Sequence, residues 1–189
     1  MQICRFAAMQ GDGPGGPDTE GSVFFMEPFV IGRAAPQDAD AIYALYRSLI
    51  DAPYGTWNEE YPSRELVEED LAHSQVFVMR DGGGRIVAAI VNEVDTEEFE
   101  PLAPWYPDVT RWAQFGRLGV ASDVQGRGIA RQMLAYAMEQ TRAQGCQAVR
   151  FLVGAHNTPA QRSYAKLGFE VCGEADAWEG HWLCYEKRL

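Results

Sequence analysis

One stretch restricts this chain more than any other: Val120-Ala-Ser-Asp-Val-Gln-Gly-Arg-Gly-Ile-Ala-Arg-Gln-Met-Leu134. Residues 115–120 read as a strand, Gly126 and Gly128 as a tight turn, and the segment after Gly128 as a helix. The helix's apolar residues Ala130, Met133, Leu134 and Ala137 recur at helical spacing. A strand, a glycine turn and a fresh helix N-terminus make an anion site. First-turn N–H groups have no partner inside the helix, and the macrodipole puts partial positive charge there. Glycine lets a phosphate approach the main chain, and Arg127 and Arg131 add charge at the rim. No Lys-Ser or Lys-Thr comes after the glycines, which excludes a Walker loop. Arg131 stands at the third glycine position of the dinucleotide fingerprint and is too bulky for it. A phosphorylated ligand is expected here.

With 189 residues, 47% of them apolar, the chain suits one domain with an ordinary core. Residues 1–27 are set apart as a flexible arm: the Gly/Pro/acid-rich run 10–21 cannot bury enough surface to offset its ordering entropy. Residues 28–189 form the domain. A net charge of −11 argues against nucleic acid or an anionic membrane as partner. No apolar run is long enough to span a bilayer, and no signal peptide opens the chain. Cys4, Cys146, Cys172 and Cys184 are scattered, as are His73, His156 and His181, so no metal site is expected. Free thiols in a reducing compartment, the cytoplasm, are the expected state.

Along the chain, strands are predicted at 28–33, 75–80, 85–95, 112–120, 147–154, 169–173 and 181–187. Pro36 and Asp38 open a helix with Ile42, Leu45, Tyr46 and Leu49 on one face. Ser63 caps a second, with Glu65, Glu68, Glu69 and Asp70 on its wet side. The long helix ends before Gly145, and Thr158 with Pro159 begins a fourth that Gly168 stops. The strand at 147–154 is expected to be half-buried, because Arg150 interrupts Val149, Phe151 and Val153. Residues 51–62 are an aromatic loop with Trp57, Glu59 and Glu60. Residues 96–111, with three prolines, Trp105 and Tyr106, form a pocket wall. The economical architecture is α/β, an α+β mixed twisted sheet of about six to seven strands flanked by about four helices.

Two motifs in this order resemble those of the GNAT N-acetyltransferase superfamily. The first is Gln125-x-x-Gly128-x-Ala130, similar to its pyrophosphate motif. The second, Asn157-x-x-Ala160-x-x-x-Tyr164-x-Lys166-x-Gly168-Phe169, lies one strand later and is similar to its C-terminal motif. The resemblance implies a GNAT-like fold in which two splayed parallel strands hold acetyl-CoA, and transfer of its acetyl group to an amine. It implies main-chain contacts to the pantetheine arm from Leu118, Gly119 and Val120. It further implies contacts to the pyrophosphate from Gln125, Gly126, Arg127, Gly128, Ile129, Ala130 and Arg131, and a contact from Asn157 to the arm. Tyr164 stands where the family has the group that protonates the departing thiolate.

The chemistry requires a base, because an alkyl amine of pKa near ~10.4 is protonated at pH 7. Glu93, on the strand beside the cofactor strand, is the candidate, with Asp95 second. Glu59 and Glu60 could hold a cationic acceptor, and Trp57, Trp105 and Tyr106 could line its site. The expected function is transfer to the primary amine of a small molecule by direct attack. The alternatives are a non-catalytic CoA-binding module and a protein N-terminal acetyltransferase. Domains of this family often pair as homodimers.

Overall fold

Turn and cap chemistry place most of the elements. The computed structural model describes residues 29–50 and 52–189. The 1–27 arm, Cys4 and the expected start of a strand at residue 28 lie outside the described residues. The chain runs β1 (Val30–Arg33), a 3-10 turn (Pro36–Asp38), α1 (Ala39–Arg47), α2 (Arg64–His73), β2 (Gln75–Arg80) and β3 (Ile86–Val94). After a second 3-10 turn (Glu100–Leu102) come β4 (Trp112–Val120), a third (Ser122–Val124), α3 (Ile129–Ala143), β5 (Ala148–Gly154), α4 (Thr158–Lys166), β6 (Glu170–Ala177) and β7 (Gly180–Arg188). Asp81 closes the β2–β3 hairpin, its Oδ1 accepting from the N–H groups of Gly83 at 3.1 Å and Arg85 at 2.9 Å. Ser63 caps α2 as expected, its hydroxyl accepting from Leu66 N–H at 3.2 Å.

Four sequence expectations are corrected. The cap of α4 is Asn157, whose Oδ1 accepts from Ala160 N–H at 3.1 Å; Thr158 and Pro159 are already helical. The β6–β7 hairpin is longer than read, because its two-residue turn, Trp178-Glu179, takes φ of 47° and 60° without the Asn or Gly that usually signals such a turn. Asp70 is not on the wet side of α2 but buried with Leu66 and Val67, whose helical stripe it shares. The strand β5 is buried along its whole length rather than on one face, because helices cover one side and the 96–111 loop the other.

The strands form one seven-stranded sheet in the order β1-β2-β3-β4-β5-β7-β6. All neighbours are antiparallel except β4 and β5, which α3 connects in parallel. One face carries α3: Phe77 meets Tyr136 of α3 edge-on at 5.3 Å, and Asn92 joins Gln75 and Gln144 in a polar chain at the helix end. Alternation and the β5 register put Phe151, and Tyr164 of α4 packed on it, on the same face. The opposite face carries α1, α2 and, over β5 and β7, the 96–111 loop, which buries Phe99 and Trp105 against Leu152, Trp182 and Cys184. Met133, Leu134 and Ala137 of α3 are fully buried; a large side chain so placed contributes about 1.5–3 kcal/mol. Among the described residues no helix is long and apolar enough to cross a membrane.

Candidate active site at the forked strands

The pairing of β4 with β5 covers only Trp112↔Ala148, Ala113↔Val149 and Gln114↔Arg150. Beyond Gln114 the two strands diverge, while β4 stays bonded to β3 and β5 to β7. The main-chain groups of 115–120 that face the fork have no strand partner there. A bulge sharpens the opening: Ala89 pairs with Gly119 but Val91 with Gly116, so Ile90 faces both Arg117 and Leu118. Arg117 takes the left-handed φ of 48° that such an inserted residue needs. Leu118, Gly119 and Val120 thus form the β4 side of the fork.

From Val120 the chain turns into α3. Gln125 ties the turn back, its Nε2 donating to Val120 O at 2.8 Å. Gly128 is the N-cap, at φ 74°, and neither a capping side chain nor an acidic residue occupies the first turn of α3. The N–H groups of Ile129, Ala130 and Arg131 therefore keep the partial positive charge of a bare helix start. Among the described residues, and its two chain neighbours aside, no atom stands within 4 Å of where a Cβ on Gly126 would be. At Gly128 the guanidinium of Arg131 lies 3.3 Å from that point, folded over the turn. Arg127 stacks on the Phe29 ring at 4.8 Å. An open glycine turn, bare amides and two arginines fit a diphosphate.

On the α3/α4 face Tyr164 is wholly buried, edge-on to Phe151 at 4.8 Å and to Tyr185 at 5.9 Å. Burial, and to a lesser degree the neighbouring Tyr185, raises its pKa well above the usual phenol value, so the hydroxyl stays protonated. Asn157 is also buried, and its cap to α4 uses the oxygen end of the amide.

The other face of the fork is acidic. Arg117 is fully buried, and its Nη2 donates to Asp70 Oδ1 at 2.6 Å and Glu93 Oε1 at 2.7 Å. Its Nη1 reaches Tyr61 at 3.5 Å. Gln114, the last β4 residue paired to β5, donates to Glu93 Oε2 at 3.1 Å and accepts from Phe99 N–H at 3.1 Å. The residue before Phe99 is Glu98. One guanidinium thus faces three carboxylates. Burial first, offset in part by Arg117, pushes Asp70 up to about 7, and burial with the Glu93 charge pushes Glu98 up to about 7. Toward the fork's open end Trp57 lies against Gly119, where an added Cβ would stand 3.1 Å from its ring. Thr56 likewise stands 3.3 Å from the Cβ position of Gly154, so the 52–62 loop bridges the tips of β4 and β5.

Other expected site residues lie elsewhere. Asp95 points outward, its carboxylate held low by Arg111 at 3.0 Å. Glu59 pairs with Arg47 on the surface and Glu60 is exposed. Trp105 is core, its Nε1 donating to Phe99 O at 2.8 Å, and Tyr106 donates to Glu170 at 2.6 Å. Trp105 and Trp112 flank the buried Arg150, which pairs with Glu186 at 2.9 Å and Glu100 at 2.7 Å. Asp70, Glu98, Gln114 and Arg117 were not singled out from sequence. Only Asp70 left a trace there, as an acid in an apolar helical stripe.

A sequence model described as the acetyltransferase (GNAT) family matches residues 42–169, which hold the fork, the glycine turn and all of α4. The chain belongs to the GNAT acetyltransferase family. This family uses acetyl-CoA, and the glycine turn and fork of this member fit it. A relative named mycothiol acetyltransferase, from Corynebacterium aurimucosum, is 33% identical over 124 residues. That match covers 66% of this chain and 40% of the relative, so the chain spans well under half of that protein. Among solved structures, ribosomal-protein-alanine N-acetyltransferase from Brucella melitensis matches with a TM-score of 0.64 at 21% identity, covering 85% of this chain and 99% of that one. A Salmonella typhimurium acetyltransferase solved with its cofactor acetyl-CoA matches at 0.65 and 16% identity, covering 86% and 94%. At such identities these two show the fold, a mixed open sheet flanked by helices.

Proposed function

We propose that this chain is an acetyl-CoA-dependent N-acetyltransferase acting by direct attack of a small molecule's primary amine. The observation that carries the reading is the fork. It opens beyond Gln114 and Arg150, and β4 leads from it to the bare start of α3. A proton-donating tyrosine lies on one face and a carboxylate set on the other. Acetyl-CoA supplies, when bound, an acetyl group activated as a thioester.

The amides of Ile129, Ala130 and Arg131, with the side chains of Arg127 and Arg131, bind the diphosphate; Gln125 braces the turn, and Gly126 and Gly128 let the anion approach. Main-chain groups of Leu118, Gly119 and Val120 orient the pantetheine arm, with Asn157 across the fork. An N–H of the same strand meets the negative charge that builds on the carbonyl oxygen. Holding amine and thioester together contributes up to roughly 7–11 kcal/mol in ideal cases. Tyr164 donates its hydroxyl proton to the departing sulfur. Glu93 and its neighbours attract the acceptor's ammonium and receive its proton. The name of the mycothiol acetyltransferase relative is in keeping with a small-molecule acceptor. We place the enzyme in the cytoplasm, where Cys146, Cys172 and Cys184 stay thiols, and expect copies to pair as family members often do.

Calorimetry with acetyl-CoA, then turnover on a panel of tyramine, spermidine, glucosamine and alanine amide, tests the reading. Binding with turnover of at least one amine is expected. Binding without turnover supports a cofactor-binding module, and no binding removes the enzyme altogether.

A further inference from the structure

Resting on that reading, we infer that Glu98 rather than Glu93 takes the acceptor's proton, and that Glu93 is a fixed anion which positions the ammonium. Both oxygens of Glu93 are engaged by donors: Oε1 by Arg117 at 2.7 Å and Oε2 by Gln114 at 3.1 Å. A proton on Glu93 would cancel the charge that the buried Arg117 guanidinium is paired with. Glu98 is built differently. Its carboxylate also draws on the Gln114 side chain, but its Oε1 is shielded from solvent and has no hydrogen-bond partner among the described residues, so a proton can settle on that oxygen without meeting a donor.

Its position is fixed by its neighbour in the chain. Phe99 is fully buried, its N–H donates to Gln114 Oε1 at 3.1 Å, and its carbonyl accepts from Trp105 at 2.8 Å. Gln114 is where β4 leaves β5, so Glu98 hangs at the base of the fork, on the face that carries Glu93. The charged groups that face it are Glu93 from β3 and Arg117 from β4, with Asp70 of α2 behind the guanidinium. Burial and the Glu93 charge bring its pKa to about 7, which suits a base working near neutrality. Asp70 shares that pKa, but it is ion-paired to the buried Arg117 at 2.6 Å, so taking up the acceptor's proton there would strip the guanidinium of a partner.

The proton balance closes. An N–H bond of the ammonium breaks, its electron pair stays on nitrogen, and the proton forms an O–H bond on Glu98. The freed pair forms the C–N bond as the C–S bond breaks, and sulfur takes the Tyr164 proton. The second nitrogen proton returns to the Tyr164 oxygen through water, and Glu98 releases its own to solvent. One proton is released per turnover.

The test is kcat/KM against pH, from about 5.5 to about 9.5, for the wild type, Glu98→Gln, Glu98→Asp and Glu93→Gln, with acetyl-CoA and the same four amines. The wild type should show an acid limb with its midpoint near 7. Glu98→Gln should lose that limb and about 10²-fold or more in kcat, with acetyl-CoA affinity and melting temperature nearly unchanged. Glu98→Asp should keep the limb at reduced kcat. Glu93→Gln should raise the acceptor KM and move the limb to lower pH, because a like charge facing Glu98 is gone. A Glu98→Gln enzyme that keeps the wild-type limb overturns the inference while leaving the transferase reading standing. A wild type that turns over none of the amines overturns both.

Discussion

Arg117 and Tyr164 mark the two faces of the fork, and each is buried for a different reason. The guanidinium needs two carboxylates to be tolerated at 0% exposure, whereas the phenol is packed among Phe151, Phe169 and Tyr185. Removing only the phenol oxygen tests its role cleanly. Tyr164→Phe should keep the ring contacts and acetyl-CoA affinity but lower kcat about 10²-fold in steady-state assays; unchanged turnover would exclude it as the acid. Asp70 gives a pH signature. Its pKa in the folded protein, about 7, lies above its ordinary 3.8, so the folded state holds that proton more tightly. The stability this contributes is full below the ordinary value and is lost as pH rises through 7. Asp70→Asn should therefore flatten the decline in melting temperature between about pH 4 and 7, although it lowers stability overall by leaving Arg117 with one carboxylate fewer. Glu98 keeps part of the decline, since its pKa is raised in the same direction. Sequence reading assigned Asp70 to solvent because three acids surround it. Arg117 could not be found at all, since the bulge that turns it inward depends on β3 pairing.

At the scale of elements, the glycine turn and the start of α3 are the proposed diphosphate site. Gly128 sits at φ 74°, which any side chain resists, and its Cβ position is already crowded by Arg131. Gly128→Glu adds strain, bulk and a negative charge where a diphosphate would lie. It should abolish acetyl-CoA binding in calorimetry, and retained binding would discredit the turn. This element was legible because its signal is local: two glycines and an apolar period of 3.6 residues are adjacent in the chain. The α4 cap and the ends of β6 and β7 were less so. Asn157 and Thr158 are both good caps, and only geometry selects between them. The turn at Trp178-Glu179 uses backbone conformations its composition does not announce.

At the scale of the molecule, the sheet separates the face of α3 and α4 from that of α1, α2 and the 96–111 loop, and the proposed reaction takes place at the fork where the two faces meet. Tyr164 lies with α3 and α4, Glu93 and Glu98 with α1, α2 and the 96–111 loop. Among the described residues, the buried hydrophobic side chains run from Ala39 to Tyr185. A chain beginning at residue 28 should bind acetyl-CoA with affinity within about twofold of the full chain, because the Gly/Pro/acid-rich run 10–21 has little apolar surface to bury; a larger loss in calorimetry would make the first 27 residues part of the domain.

The sequence by itself determined the run of strands and helices, the glycine turn into the long helix and the family, because these rest on short-range periodicity, capping and glycine placement. Tertiary structure alone decided where β4 and β5 part and that Arg117 is drawn between Asp70 and Glu93. It alone brought Glu98, from the loop between β3 and β4, to the base of the fork. Each of these depends on strand register and on burial by segments far apart in the chain, and those set the distances and the desolvation that give a carboxylate its chemistry.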